Sequence, residues 1–177
     1  MSAAGWCALL RIIVSLFVST QAGVTPSAIR DLQTQVAAIY ANAGVDIEWA
    51  KTTKPGALQV NVLPVLPPIA GCELAFGCSV IDSRNVNPSV AYIASATILQ
   101  YRLANPRVSG QMLAYVTVHE VGHLLGLQHS NDRGIMHRNI DWLLAPGWAG
   151  SDKSALSQKL AASLSARYPA VNQHPIP

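Results

Sequence analysis

The stretch HEVGHLLGLQHS, residues 119–130, puts three histidines and one glutamate into a run that is otherwise mostly apolar. Upstream, Met112, Leu113, Val116, Val118, Val121, Leu124 and Leu125 surround a helical axis almost completely, which is the pattern of a buried helix. The spacing predicts this helix from about residues 106–109 to Gly126, where a glycine can take the left-handed conformation that ends a helix and turns the chain. On such a helix His119 and His123 are one turn apart and share a face, with Glu120 beside them.

Two imidazoles on one helical turn can hold a metal ion, and an adjacent glutamate can reach a water on that ion without displacing it. Two ligands bind zinc weakly. His129, three residues beyond Gly126, is placed to return to the same ion. Three neutral imidazoles with an open fourth position form the donor set of a catalytic rather than a structural Zn²⁺ site. H-E-x-x-H-x-x-G-x-x-H fixes five positions, where a bare H-E-x-x-H fixes only three.

HEVGHLLGLQH resembles the zinc signature of the metzincin peptidases, and the following Ser130 is similar to their matrixin branch. Metzincins carry a methionine turn beneath the metal, and RGIMHRN supplies Met136 seven residues after His129. The resemblance is sharp over residues 118–136. It implies a zinc metalloendopeptidase with His119, His123 and His129 as ligands, Glu120 as general base, Met136 in the Met-turn, and a peptide or protein as substrate. It also implies an extended substrate lying along a sheet edge, for which residues 77–82 are one candidate, and a pocket walled after Met136, where Trp142 and Leu143 stand. Two features depart from parts of the family. No tyrosine follows Met136, and no cysteine-bearing propeptide motif is present, so latency by a cysteine switch is not expected.

Around this centre the chain alternates helical and strand patterns. Thr25-Pro26 opens a helix carrying Ile29, Leu32, Val36 and Ile39, with Gly44 as its stop. VDIEW and ALQVNVL alternate apolar and polar residues as half-buried strands do, and residues 89–95, SVAYIAS, form a continuous apolar strand expected to be buried on both faces. A short helix is expected near residues 97–104. Ser151-Asp152 caps a last helix lined by Leu156, Leu160 and Leu164, and residues 169–177 read as a polar, frayed tail. The expectation is an α+β metzincin-like single domain: a twisted mixed sheet packed on a first helix and a zinc-binding helix, with a C-terminal helix after the Met-turn.

Length and composition fit that plan. A chain of 177 residues, half hydrophobic and 12% charged, builds one domain with a sizeable core. A net charge of +3 without a basic cluster argues against nucleic acid as a partner. Residues 1–22 place Arg11 before an apolar run and end on small residues, with Thr20 and Ala22 at the −3 and −1 positions of a cleavage site. They are expected to be a signal peptide, making residues 23–168 the catalytic domain. The destination is then secreted or extracytoplasmic (periplasmic in a bacterium), with no stable membrane insertion after cleavage. Cys7 would leave with that segment, and Cys72 and Cys78 remain as an even pair suited to a disulfide in an oxidising compartment, worth roughly 2 kcal/mol by chain entropy. The competing reading is a non-catalytic, zinc-stabilised exported binding module. It needs a fourth protein ligand, for which His137 is the nearby choice, and it has no use for Glu120 or Gly126.

Overall fold

Thr25 and Pro26 start the first helix by ordinary capping chemistry. The Thr25 hydroxyl accepts from the Ala28 amide at 3.2 Å, and proline opens the helix that runs to Ala41. Leu32, Val36 and Tyr40 recur every four residues and are buried. The computed structural model describes residues 10–19, 21–42, 45–52, 57–72, 75–81, 89–104, 111–129 and 135–138. Its elements are β1 (Leu10–Val18), α1 (Pro26–Ala41), β2 (Val45–Ala50), β3 (Leu58–Leu63), β4 (Gly77–Val80), β5 (Val90–Ala94), α2 (Ser95–Ala104) and α3 (Met112–Leu124).

The strands form a five-stranded mixed sheet in the order β2-β1-β3-β5-β4. β1 pairs parallel with both β2 and β3, β3 pairs parallel with β5, and β4 closes one edge antiparallel to β5. A parallel neighbour needs a crossover, and α1 supplies the one between β1 and β2. Along β3 alternate residues are buried: Leu58, Val60 and Val62 join the core. Gln59 and Asn61, on the opposite face, bond each other through their side chains at 3.0 Å. α1 and α3 pack against each other and against the sheet, so Val14, Val60, Ile93, Leu32, Tyr40 and Val121 belong to one apolar cluster. The architecture is the expected α+β domain.

Part of residues 1–22 is built into the sheet. Leu10–Val18 forms the strand between β2 and β3, in register from Leu10 opposite Val45 to Val18 opposite Val62. Val14 is fully buried in the core, and the Ser15 hydroxyl donates to the Thr52 carbonyl at 3.1 Å. Residue 22 lies between this strand and α1. A continuous β-branched run suits a central parallel strand as well as it suits an apolar signal segment.

Smaller differences follow from burial and capping. β5 buries Ala91, Ile93 and Ala94 while Val90 and Tyr92 remain half-buried, so it is not closed on both faces as expected. α2 starts at Ser95, two residues before the expected start, with the Ser95 hydroxyl 2.6 Å from the Ala22 carbonyl and 2.9 Å from that of Leu63. α3 begins at Met112, and Gln111 caps it without a side-chain hydrogen bond. The expected helix with Leu156, Leu160 and Leu164, and the tail from residue 169, lie outside the described residues. Among the described residues, no helix is long and apolar enough to cross a membrane.

Candidate metal centre

α3 is fixed from several sides before it presents any functional group. The Tyr40 hydroxyl of α1 donates to the Val118 carbonyl at 2.9 Å, and burial pushes this phenol well above its usual range, so it stays a donor. Val118 directly precedes His119. Behind the helix, a Cβ on Gly122 would stand 2.6 Å from the Met136 sulfur, so the missing side chain is what lets the buried Met136 press against α3. The helix ends as expected at Gly126, whose φ is 91°. The Gly126 amide bonds the His123 carbonyl at 2.9 Å and the Leu127 amide bonds the Gly122 carbonyl at 3.0 Å, the paired bonds of a Schellman turn.

That turn brings the third histidine back. The Nε2 atoms are separated by 3.0 Å for His119 and His123, 3.2 Å for His123 and His129, and 3.3 Å for His119 and His129. His119 Nδ1 donates to the Ile135 carbonyl at 2.6 Å and His123 Nδ1 to the Leu127 carbonyl at 2.8 Å. A carbonyl only accepts, so Nδ1 carries the hydrogen in both rings and each neutral ring turns an Nε2 lone pair inward. Burial holds the His119 imidazolium down to about pKa 4, with the neighbouring histidines pulling the same way and the Ile135 hydrogen bond opposing them. His129 is lowered by burial first and then by His123, Arg138 and His137.

Facing lone pairs 3.0 Å apart repel unless an electrophile lies between them. The corners of a tetrahedral zinc site with Zn–N of about 2.0–2.1 Å lie roughly 3.3–3.4 Å apart, close to the spacing found here. The donor set, its tautomers and its spacing all fit zinc. His137 is not part of the cluster.

Glu120 follows His119 on α3 and is buried, with 7% of its surface exposed. Burial raises its carboxyl to about pKa 7, against a lowering by the Ser79 hydroxyl, which donates to Oε2 at 2.6 Å. The same hydroxyl lies 2.9 Å from the Glu120 carbonyl. Gly77, two residues away on β4, makes room for this side chain: a Cβ there would stand 2.6 Å from Glu120 Cγ and 2.8 Å from Oε1. Cys78, between them, forms the expected disulfide with Cys72, with Cα atoms 5.9 Å apart.

The structure thus brings His119, His123, His129 and Glu120 together, with Gly126 at the turn and Met136 behind the helix. Ser130, Trp142 and Leu143 lie outside the described residues. Sequence reasoning offered residues 77–82 as a substrate edge but missed that Gly77 and Ser79 meet Glu120, and it missed Tyr40 and the carbonyls of Leu127 and Ile135. Only Gly77 left a trace, as a small residue beside a cysteine in an otherwise apolar stretch.

A mixed sheet carrying a helix with two histidines, a glycine-turned return that adds a third, and a buried methionine behind that helix defines a metzincin-type centre. The sequence pattern of the matrixin family matches residues 43–153, well over half of the chain, and the chain belongs to that family. β1 and α1 precede the matched span, and the cluster of His119, His123 and His129 falls within it. No curated protein matches the chain.

Proposed function

We propose that this matrixin is a zinc-dependent endopeptidase that cleaves peptide bonds in an extracytoplasmic, oxidising compartment. The observation that supports this most is the convergence of three Nε2 atoms within 3.3 Å, next to a buried carboxylate on the same helical turn. His119, His123 and His129 would hold the zinc, which when bound would polarise the scissile carbonyl and acidify a water. The carbonyls of Ile135 and Leu127 orient two of the rings through Nδ1, which keeps Nε2 available as a ligand. Glu120 takes the proton of the attacking water and returns it to the leaving nitrogen. A carboxyl whose pKa is near neutrality is matched to both transfers.

The substrate is an extended peptide that pairs with β4, the sheet edge next to Glu120. The disulfide of Cys72 and Cys78 supports an oxidising location. The test is metal analysis together with a peptide-library digest of the wild-type chain and Glu120→Ala. Wild type should hold one zinc and cut internal peptide bonds. Glu120→Ala should keep the zinc and lose turnover by roughly 10²–10⁴-fold, the usual contribution of a general base. A Glu120→Ala protein as active as wild type removes the general-base role, and a wild type without turnover favours a zinc-stabilised binding module.

A further inference from the structure

Ser79 lies on the edge strand, 41 residues from Glu120 in sequence, yet its hydroxyl reaches both the carboxylate Oε2 and the backbone carbonyl of that residue. A serine hydroxyl has one hydrogen, and the shorter contact, 2.6 Å, is to the carboxylate. Gly77 is on the same face of β4 at i−2 and has no side chain to displace the carboxylate, which passes over it through Cγ and Oε1. Among the described residues no other hydrogen bond falls on the carboxylate.

We infer that Ser79 is a positioning residue: its hydroxyl locks Glu120 Oε2 against the edge strand, which fixes the rotamer and leaves Oε1 as the oxygen that exchanges the proton. The inference rests on the reading of Glu120 as the general base. It also gives β4 a second task. The strand that pairs with the substrate holds the base as well, so the peptide and the proton acceptor are aligned by one rigid element. The disulfide at Cys78 lies between the two residues that do this and anchors them. A residue acting in this way changes kcat and leaves ground-state binding alone.

The zinc-loaded full chain is compared as wild type, Ser79→Ala and Ser79→Thr, with kcat and KM measured on one peptide and zinc counted per chain. The chain has three glutamates, Glu48, Glu73 and Glu120, so selective carbon-13 labelling of glutamate resolves the Glu120 carboxyl directly. Ser79→Ala should lower kcat about 10- to 100-fold, as expected for loss of a hydrogen bond to a charged group. KM should stay within about twofold, zinc should remain at one per chain, and only the Glu120 carboxyl signal should move. Ser79→Thr, which retains the hydroxyl, should recover most of kcat.

The positioning role is overturned by an unchanged kcat in Ser79→Ala beside an active wild type. A loss of zinc, a rise in KM in step with the fall in kcat, a threonine no better than alanine, or an unmoved Glu120 signal overturns it equally. A wild type that turns over no peptide at all removes the peptidase reading first, and the positioning role with it.

Discussion

Removing residues 1–22 should leave a chain that does not fold. The segment contains β1, and β2 meets the sheet only through β1, so the deletion detaches one strand and exposes the long edge of another. Val14 is fully buried, Ile12 and Leu16 pack against the core, and Ala22 is buried at the segment's end. Full burial of a branched apolar side chain is worth about 1.5–3 kcal/mol, so these side chains together contribute about 4–6 kcal/mol. Whole domains are stable by only about 5–15 kcal/mol, and the lost strand hydrogen bonds come on top. The comparison is between the 1–177 and 23–177 chains, both made in an oxidising compartment and examined by near-ultraviolet circular dichroism, amide NMR dispersion and zinc binding. The longer chain should show a cooperative transition and bind zinc, and the shorter one neither. Val14→Asp, which buries an unpaired charge in the middle of the sheet, should reproduce the defect in the full-length chain. A 23–177 protein that unfolds cooperatively, with a similar midpoint and one zinc, would refute the placement of Leu10–Val18 and restore the cleaved-leader expectation.

Gly77→Ala should cost about 1–3 kcal/mol of stability and lower kcat more than 10-fold with zinc retained, because the new Cβ meets Glu120 Cγ at 2.6 Å and Val116 Cγ1 at 2.9 Å; denaturant melts and turnover measured together check it. Reducing the Cys72–Cys78 bond, or replacing both residues with serine, should remove about 2 kcal/mol and lower activity through β4, and a fully active reduced protein would show that the staple is dispensable. In the metal-free protein, His119 and Glu120 should oppose each other as pH changes. His119 falls from 6.5 to about 4 on folding, so the unfolded chain binds the extra proton; stability is complete above pH 6.5 and drops by about 3 kcal/mol as pH falls through that window. Glu120 rises from 4.5 to about 7, so the native state binds the extra proton and stability drops as pH rises through that range. Glu120→Gln should therefore reveal a steeper loss of stability below pH 6.5 than wild type, read from denaturant midpoints without zinc; identical profiles would show that burial does not raise Glu120, and a Glu120→Gln profile flat below pH 6.5 would show that burial does not lower His119.

What was legible in the sequence was whatever a local period encodes. The helix of residues 112–124 announced itself through apolar residues all round, and its histidines through one-turn spacing. Gly126 marked the turn that returns His129, and Thr25-Pro26 marked the start of α1. β3 alternates cleanly, with Leu58, Val60 and Val62 in the core and Gln59 and Asn61 on the other face, whereas β2 keeps the alternation only through Glu48, Trp49 being half-buried and Ala50 buried. β1 was read as a leader for a physical reason. A central parallel strand is a short, unbroken apolar run, and LRIIVSLFV presents the same composition to a core as a signal segment presents to a membrane.

The supports of the site were illegible for a different reason: each joins residues far apart in sequence and has no period. Tyr40 and Val118 are 78 residues apart, Ser79 and Glu120 are 41 apart, and both pairs meet only because the sheet order brings α1 and β4 to α3. The motif therefore specifies the ligands, while the fold specifies how they are held. If β1 is the strand that ties β2 to β3, the same nine residues that resemble a leader maintain the register of the sheet from which α1 and β4 grip the histidine helix. A chain lacking them should lose the metal centre although every residue of the motif is still present.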